Sequence, residues 1–588
     1  MDFNLAEVSE AFAGRFGDRD AIVSGRGILS WAELTSRTRR LANFLLESGL
    51  GAHTERGQLA DYEAGQDRVA ICLLNGPEYL EVMLSAFKAR CAPCNVNYRY
   101  VASELEELLA DMAPRAVVFQ SRFAPQLREA LGAAGLSPLL IQVLDSPGDD
   151  LVPGALEFES TLAAARDDPP QVAWSPDDLY VLYTGGTTGR PKGVLWRQAD
   201  VFVTALGGRN YREGAREWVS LDEMVDAAAA RQGSRGLSAA PFMHGTGQWV
   251  SFQVLHTGGC VVVPSVVDRY DAPDVLDTIE RERVNLLTIA GEAFASPLLE
   301  AIDAKERDLS SLLVVSSSGA ALSPKSKVAL LARLPWIRIR DTVGSSEAGP
   351  MADAIGNTRR QSGSAADEPQ SLVTGPGPSP QGNTSVRFLA NEDTCVVDEL
   401  QTAILEADHE GAGWLARGGR IPLGYMNDPE KTSRTFKTIA GRRLTIPGDR
   451  ARVHADGTVE VLGRDAVTIN SGGEKIFAEE VEAAARHHAG VRDVAVVGRP
   501  SERWGSEVVA LVEAEPGVAI DQASVVDACS AVLARYKLPK AVIFVDQVVR
   551  NPAGKLNYDW AKSVAAASLA GESLSSHADP VLEDGTSP

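Results

Sequence analysis

Tyr183-Thr184-Gly185-Gly186-Thr187-Thr188-Gly189-Arg190-Pro191-Lys192-Gly193 follows an apolar run, Leu179 to Tyr183, whose length and content predict a strand. Glycines let backbone N–H groups close around an anion, hydroxyls add donors, and a lysine adds a mobile positive charge. The stretch therefore predicts a phosphate-holding loop after a strand. It is not the common P-loop, which ends in Gly-Lys-Ser/Thr, because Lys192 is followed by Gly193.

The 588 residues exceed one hydrophobic core, so at least two folding units are expected. With 44% hydrophobic and 23% charged residues the composition is that of an ordinary soluble chain. A net charge of −22 argues against nucleic acid or an anionic membrane as the main partner. The start, Met1-Asp2-Phe3-Asn4, lacks the regions of a signal peptide, and no apolar run reaches membrane-spanning length. Six scattered cysteines suit a reducing cytoplasm. Cys91 and Cys94 form a C-x-x-C, but no thioredoxin-like context surrounds them, and both are read as small buried residues.

Apolar runs alternate with helical patterns: Arg68 to Leu74 then Glu78 to Arg90, and Ala116 to Phe119 then Phe123 to Leu131. This predicts an α/β fold with parallel-rich sheets. Ser30 with Glu33, and Ser103 with Glu106, have capping-box spacing. Gly51 to Gln66 reads as an inserted surface loop, and Asn357 to Gly382 as an irregular segment. Thr458 to Leu462 reads as a hairpin strand behind the turn Ala455-Asp456-Gly457. Beyond it, Glu479 to His488 (helix), Val491 to Val497 and Glu507 to Ala514 (strands) and Ile520 to Arg535 (helix) predict a compact α+β unit. The expected division is a large multi-subdomain N-terminal domain over 1–463, a small mobile domain over 464–569 and a disordered acidic tail over 570–588.

The full loop string closely resembles the ATP-phosphate loop of the adenylate-forming superfamily, which includes acyl-CoA synthetases, luciferase and peptide-synthetase adenylation domains. Four further motifs stand in family order over about Phe12 to Lys562. Ser317-Ser318-Gly319-Ala320-Ala321-Leu322 is similar to the adenine-binding strand-loop. Asp341-Thr342-Val343-Gly344-Ser345-Ser346-Glu347 resembles Tyr-Gly-x-Thr-Glu, with Val343 where the family usually stacks a tyrosine on adenine. Ile446-Pro447-Gly448-Asp449 resembles Thr-Gly-Asp, and Asn551-Pro552-Ala553-Gly554-Lys555 the catalytic-lysine segment. Gly463-Arg464-Asp465-Ala466-Val467 departs from the hinge motif, which usually carries a charge at the Ala466 position. The string from Thr468 to Lys475, with the loop and Gly344 to Glu347, looks most like mycobacterial-type acyl-CoA synthetases, including those acting on steroid side chains.

The resemblance implies roles. Thr184, Gly185, Gly186, Thr187, Thr188, Gly189 and Lys192 would hold the triphosphate; Ser318, Gly319 and Ala320 would border adenine. Asp341 would accept from the adenine amino group or else be a solvated loop residue. Ser346 would donate to the α-phosphate and Glu347 would hold Mg²⁺, a hard cation suited to carboxylate. Asp449 would accept the ribose hydroxyls, Arg464 would contact ribose or phosphate, and Gly472 and Gly473 would line the CoA pantetheine tunnel. His244 would occupy the gate near the substrate carboxylate, and Lys555 would bridge that carboxylate and the α-phosphate. Asp200 and Glu223, considered as bases, read as surface charge. The small residues Gly245, Gly247, Gly319 and Ala320 suggest room for a medium-to-long, branched or ring-bearing acid between Phe242–Leu255 and Ser317–Leu322. ATP and CoA are thus the expected co-substrates; a homo-oligomer is left open. Two alternatives stay open: transfer of the acyl group to a carrier protein, and a nucleotide-binding regulator that has lost catalysis. Amino-acid adenylation is disfavoured, because Gly245-Thr246-Gly247-Gln248-Trp249-Val250 lacks the aspartate that branch carries after the gate.

Overall fold

The computed structural model describes residues 2–184, 191–231, 233–320, 322–356, 387–407, 409, 411–464, 467–471, 474–501, 505–533, 535–550 and 554–568. The α/β expectation holds. The chain divides into two compact units, the first taking most residues up to Val461 and the second most residues from Leu462 onward.

The first unit contains two large sheets. One holds eight strands among the described residues, in the order Gly424–Tyr425, Lys192–Arg197, Leu179–Thr184, Ala92–Asn95, Arg68–Cys72, Ala116–Gln120, Leu139–Val143, Leu156–Glu157. From Leu179–Thr184 outward to Leu156–Glu157 neighbours are parallel; Lys192–Arg197 and Gly424–Tyr425 reverse direction. Side chains alternate across the pleat, so Val69 and Ile71 enter one core while Ala70 and Cys72 enter another. Tyr180 and Leu182 likewise part from Val181 and Tyr183. Burial on both faces explains why these strands read as continuous apolar runs.

The second sheet of this unit carries the parallel strands Asp20–Ser24, Cys260–Val262, Arg235–Ser238, Leu286–Ile289, Val314–Ser318 and Arg338–Ser345, in that spatial order. It continues antiparallel through Gly349–Gly356 and Arg387–Ala390. The hairpin forms as expected: Asp449–Val453 and Thr458–Arg464 are joined by a turn in which Gly457 N donates to the His454 carbonyl at 2.9 Å.

Helix starts follow their caps. Ser30 Oγ accepts from Glu33 N, and Glu33 accepts from Ser30 N at 2.8 Å, closing the expected capping box. The second box is displaced: the helix Ala102–Met112 begins earlier, Glu104 accepts from Val101 N at 3.0 Å, and Ser103 lies inside the first turn. With Val101 at the N-cap, Glu104 rather than Glu106 takes the position that reaches back to the N-cap amide, so the Ser103–Glu106 pair is not used.

In the second unit, Val491–Ser501 pairs antiparallel with Gly505–Ala514, which pairs parallel with Ala541–Val545. Val494, Val496, Val508 and Val512 pack on one face with helices Ala478–Ala485 and Gln522–Ser530. Ala495, Val497, Val509 and Leu511 pack on the other with Ala561 and Ala565 of helix Tyr558–Ala567. A single sheet with period-two side chains thus builds two cores.

All six cysteines are free thiols, and five are buried. Cys91 and Cys94 are buried as expected, and burial pushes the Cys94 thiol up to about 12. That suppresses the thiolate that redox chemistry needs. Among the described residues no helix is long and apolar enough to cross a membrane.

Candidate active site

The strand Leu179–Thr184 ends where the phosphate loop begins, and Lys192–Arg197 returns beside it with Thr184 opposite Lys192 and Tyr183 opposite Gly193. Gly185, Gly186, Thr187, Thr188, Gly189 and Arg190 lie outside the described residues. The two ends are held by side chains from elsewhere. Asn95 accepts from Tyr183 N (2.7 Å) and donates to the carbonyls of Tyr183 and Met243, both at 2.8 Å. One buried amide therefore ties the loop's root to the segment leading into His244. Lys192 Nζ donates to Asp111 Oδ1 at 3.0 Å and stands 3.8 Å from Asp428 Oδ2. The Tyr183 hydroxyl donates to Asp111 Oδ2 at 2.9 Å. Burial pushes that phenol well above its ordinary pKa, which keeps it protonated and donating.

Glu347 sits in the tight turn between Arg338–Ser345 and Gly349–Gly356. Gly349 has φ +72, and a side chain there would collide with Thr204 Cγ2 at 2.3 Å; one at Gly344 would meet the Gly349 carbonyl at 2.5 Å. Only glycine fits both positions. Arg417, almost fully buried, donates to the carbonyls of Ala348 (2.6 Å) and Pro350 (3.1 Å), and burial pulls its pKa down to about 10. Trp196 Nε1 donates to the Ser346 carbonyl at 2.9 Å, and the Tyr425 hydroxyl donates to Glu347 Oε1 at 3.0 Å. Tyr425 pairs with Val194, and Met426 N donates to the Gly193 carbonyl at 2.7 Å. The returning strand thus carries Lys192 and, through Trp196 and its neighbour Tyr425, fixes Ser346 and Glu347. The structure brings the predicted triphosphate lysine and the predicted metal carboxylate onto one scaffold.

His244 is the N-cap residue of helix Gly245–Leu255. Thr246 Oγ1 lies 3.2 Å from Ser318 Oγ, and Gly319 (φ +83) turns the chain just beyond the strand Val314–Ser318. A Cβ on Gly319 would come within 3.3 Å of Thr246 Oγ1, one on Gly247 within 2.4 Å of the Pro241 carbonyl, and one on Gly245 within 2.9 Å of Leu182 Cδ2. At Gly247 the missing side chain lets the helix start approach the Pro241 carbonyl, whereas Gly245 and Gly319 face the side chains of Leu182 and Thr246. A narrow cleft of about 30 Å³, lined by Asn75, Ala239, Pro241, Tyr270, Phe294 and Arg99, opens beside this segment. Asp341 is not a solvated loop residue. It sits in a strand, buried, with Lys327 Nζ 2.6 Å from Oδ2, and burial raises its carboxyl against the pull of that lysine.

The model for AMP-binding enzymes matches residues 9–425, and that for the AMP-binding enzyme C-terminal domain matches residues 480–555. The chain belongs to the AMP-binding enzyme family. It is 46% identical over 563 residues to the medium-chain acyl-CoA ligase Mig of Mycobacterium avium, covering 96% of this chain and 98% of that protein. It is 36% identical to the 3-oxocholest-4-en-26-oate–CoA ligase of Rhodococcus rhodochrous, covering 96% of each. Among solved structures, the anthranilate CoA ligase AuaEII with anthranoyl-AMP superposes with a TM-score of 0.76 at 20% identity, over 97% of this chain and 98% of that one. ATP-bound MatB from Rhodopseudomonas palustris superposes at 0.72 and 23% identity, over 95% and 98%. These structural likenesses carry the fold.

Other predicted residues of this AMP-binding enzyme lie at strand ends and in loops. Asp449 opens the strand Asp449–Val453, buried, after Gly448 at φ +103. Arg464 closes the strand Thr458–Arg464. Asp465, Ala466, Gly472 and Gly473 lie outside the described residues; Ser471 and Glu474 pair across them. Lys555 lies in a loop closed by pairing of Arg550 with Leu556, and Arg550 is anchored on Asp493 at 2.7 and 2.8 Å.

Asp200 is corrected from surface charge: it is buried between Arg197 (3.2 Å) and Arg420 (3.1 Å). Glu223 accepts from Val219 N and pairs with Arg216 near the start of its helix. Asn95, Asp111, Trp196, Arg417 and Tyr425 stand outside the motifs read from the sequence; Tyr425 had a local signal, the turn-like Asn427-Asp428-Pro429 after it. Among the described residues no group of three or more His, Cys, Asp or Glu could hold a metal ion alone. Glu347, a single hard oxygen donor, fits Mg²⁺ that is bound largely through nucleotide phosphates.

Proposed function

We infer that the chain activates a carboxylic acid in two steps on one site. It is an AMP-forming acid–CoA ligase, with ATP, CoA and a small carboxylic acid as substrates. The observation that carries this is the 46% identity, over nearly the whole of both chains, to a medium-chain acyl-CoA ligase.

The acid needs no general base, because its carboxyl, with a reference pKa of about 4.3, is already ionised. The obstacle is bringing that anion onto a polyanion, so positioning and charge neutralisation supply the catalysis. Lys192 and the Thr184–Thr188 hydroxyls are proposed to hold the triphosphate. Mg²⁺, held by Glu347, would neutralise phosphate charge. Ser346 donates to the α-phosphate, Asp449 accepts the ribose hydroxyls, Arg464 contacts ribose or phosphate, and Lys555 bridges the acid and the α-phosphate. Ser318, Gly319 and Ala320 form the adenine wall, and Asp341, held by Lys327, orders its floor. The acid's oxygen attacks the α-phosphorus, pyrophosphate leaves, and acyl-AMP remains beside His244. The domain spanning 464–569 then turns on Ala466 so that Gly472-Gly473 guides the CoA thiol to the acyl carbonyl and AMP departs. A medium-to-long or ring-bearing acyl group is in keeping with relatives named for medium-chain and 3-oxocholest-4-en-26-oate substrates. The cytoplasm supplies both co-substrates.

The test is pyrophosphate release without thiol, followed by thiol-dependent AMP release across acetate, octanoate, palmitate, benzoate and a steroid acid. Acid-dependent pyrophosphate release with AMP release favouring octanoate or larger acids is expected; no acid-dependent pyrophosphate would overturn the reading.

A further inference from the structure

Asp111 lies in the last turn of the helix Ala102–Met112, about 70 residues before the phosphate loop, yet it receives both ends of that loop. Its two carboxylate oxygens are divided between Lys192 Nζ (3.0 Å) and the Tyr183 hydroxyl (2.9 Å), and these residues stand on adjacent antiparallel strands. The Asn427 side chain donates to the Asp111 carbonyl at 3.3 Å, holding the helix end against the corner that also carries Asp428. Asp428 adds a second carboxylate 3.8 Å from the same lysine. Lys192 and Asp111 are each about one-fifth exposed, so their attraction is only partly screened by water.

A lysine ammonium has three donors, so phosphate can join Asp111 as a partner. The carboxylate nevertheless repels a polyphosphate and competes with it for the same positive charge. We propose that Asp111 is a positioning residue that sets how tightly Lys192 grips polyphosphate. It keeps the lysine at the loop mouth, weakens ATP binding, and reclaims the ammonium as pyrophosphate leaves. This rests on the reading that Lys192 binds the triphosphate.

Asp111→Asn separates charge from position. The amide oxygen still accepts from Lys192, and the amide N–H donates to the Tyr183 hydroxyl, which accepts as well as donates. In the full-length enzyme, calorimetric titration with inorganic pyrophosphate should show Kd falling about fivefold, the size of a partly exposed charge contact. The KM for ATP should fall by a similar factor while kcat does not rise, and pyrophosphate should inhibit more strongly. A merely structural role would not tighten binding. Lys192→Met, measured in parallel, should weaken pyrophosphate binding. If it does not, the lysine reading fails and the proposal falls with it. If Lys192→Met weakens binding while Asp111→Asn leaves it unchanged or weaker, the role of Asp111 alone is overturned. Should Asp111→Asn fail to fold, Asp111→Ser removes the same charge and carries the same expectation.

Discussion

Replacing Asn95 by aspartate changes one atom's chemistry without changing the side chain's size. The amide nitrogen, 2.8 Å from the carbonyls of Tyr183 and Met243, becomes an oxygen that cannot donate when ionised. Two hydrogen bonds worth ~1 kcal/mol each are lost, and a buried carboxylate faces two carbonyls, adding ~2 kcal/mol; the total is about 4 kcal/mol at pH 7.5. For the first unit, about 460 residues, that corresponds to a Tm drop of roughly 4 °C. Protonation restores one donor, so the introduced carboxyl has a folded-state pKa above its unfolded value of about 3.9. The folded state then holds the proton over a pH range where the unfolded state has lost it. Stability therefore falls as pH rises through that window. For a rise of about two units, the deficit at pH 5 is smaller by ~1.2 kcal/mol than at pH 7.5. Calorimetric scans of wild type and Asn95→Asp at both pH values give the comparison. A drop under about 1 °C at pH 7.5, or equal drops at the two pH values, would refute the idea that this amide ties the loop root to the gate.

Lys555→Ala should cripple acyl-AMP formation yet leave thioester formation from supplied acyl-AMP largely intact; comparable loss in both half-reactions would sink its adenylation role. Tyr425→Phe removes one hydrogen bond from Glu347, so Mn²⁺ binding to the enzyme with a non-hydrolysable ATP analogue, followed by electron paramagnetic resonance, should weaken about fivefold. Glu347→Gln should weaken it further, and unchanged Mn²⁺ affinity in Glu347→Gln would dismiss the carboxylate as a ligand. Gly349→Ala combines a left-handed φ with a clash against Thr204, costing about 2–4 kcal/mol. Thr204→Ser keeps the hydroxyl that donates to the Arg420 carbonyl, removes the clashing methyl, and should recover about half of the lost Tm.

Local chemistry was legible in the sequence wherever neighbours in the chain do the work. The strand into Thr184, the Ser30–Glu33 box and the hairpin at Gly457 each depend on residues a few positions apart, and each formed as expected. Ser103–Glu106 failed because the helix starts at Ala102, which puts Ser103 inside the first turn and gives Glu104 the reach-back position. Asp200 reads as surface charge in the sequence because its two arginines come from three and 220 residues away, and only the folded chain assembles them. Gly247 illustrates an ambiguity of composition: a missing side chain signals either an open pocket or a close backbone approach, and at this position the Pro241 carbonyl lies against it. Asn95, Asp111, Arg417 and Tyr425 act across long sequence separations, where no spacing rule reaches.

The sheltered thiols make the protein its own unfolding probe. Cys91 belongs to one core of the eight-stranded sheet, Cys72 and Cys94 to the other, Cys260 to the second large sheet and Cys529 to the C-terminal unit. Each is shielded twice, by lack of access and by a burial-raised pKa, about 12 at Cys72 and Cys260 and about 11 at Cys529. An alkylating reagent therefore reaches a given cysteine only when its own layer opens. Peptide mapping after timed alkylation would rank the opening of these regions without a single engineered label.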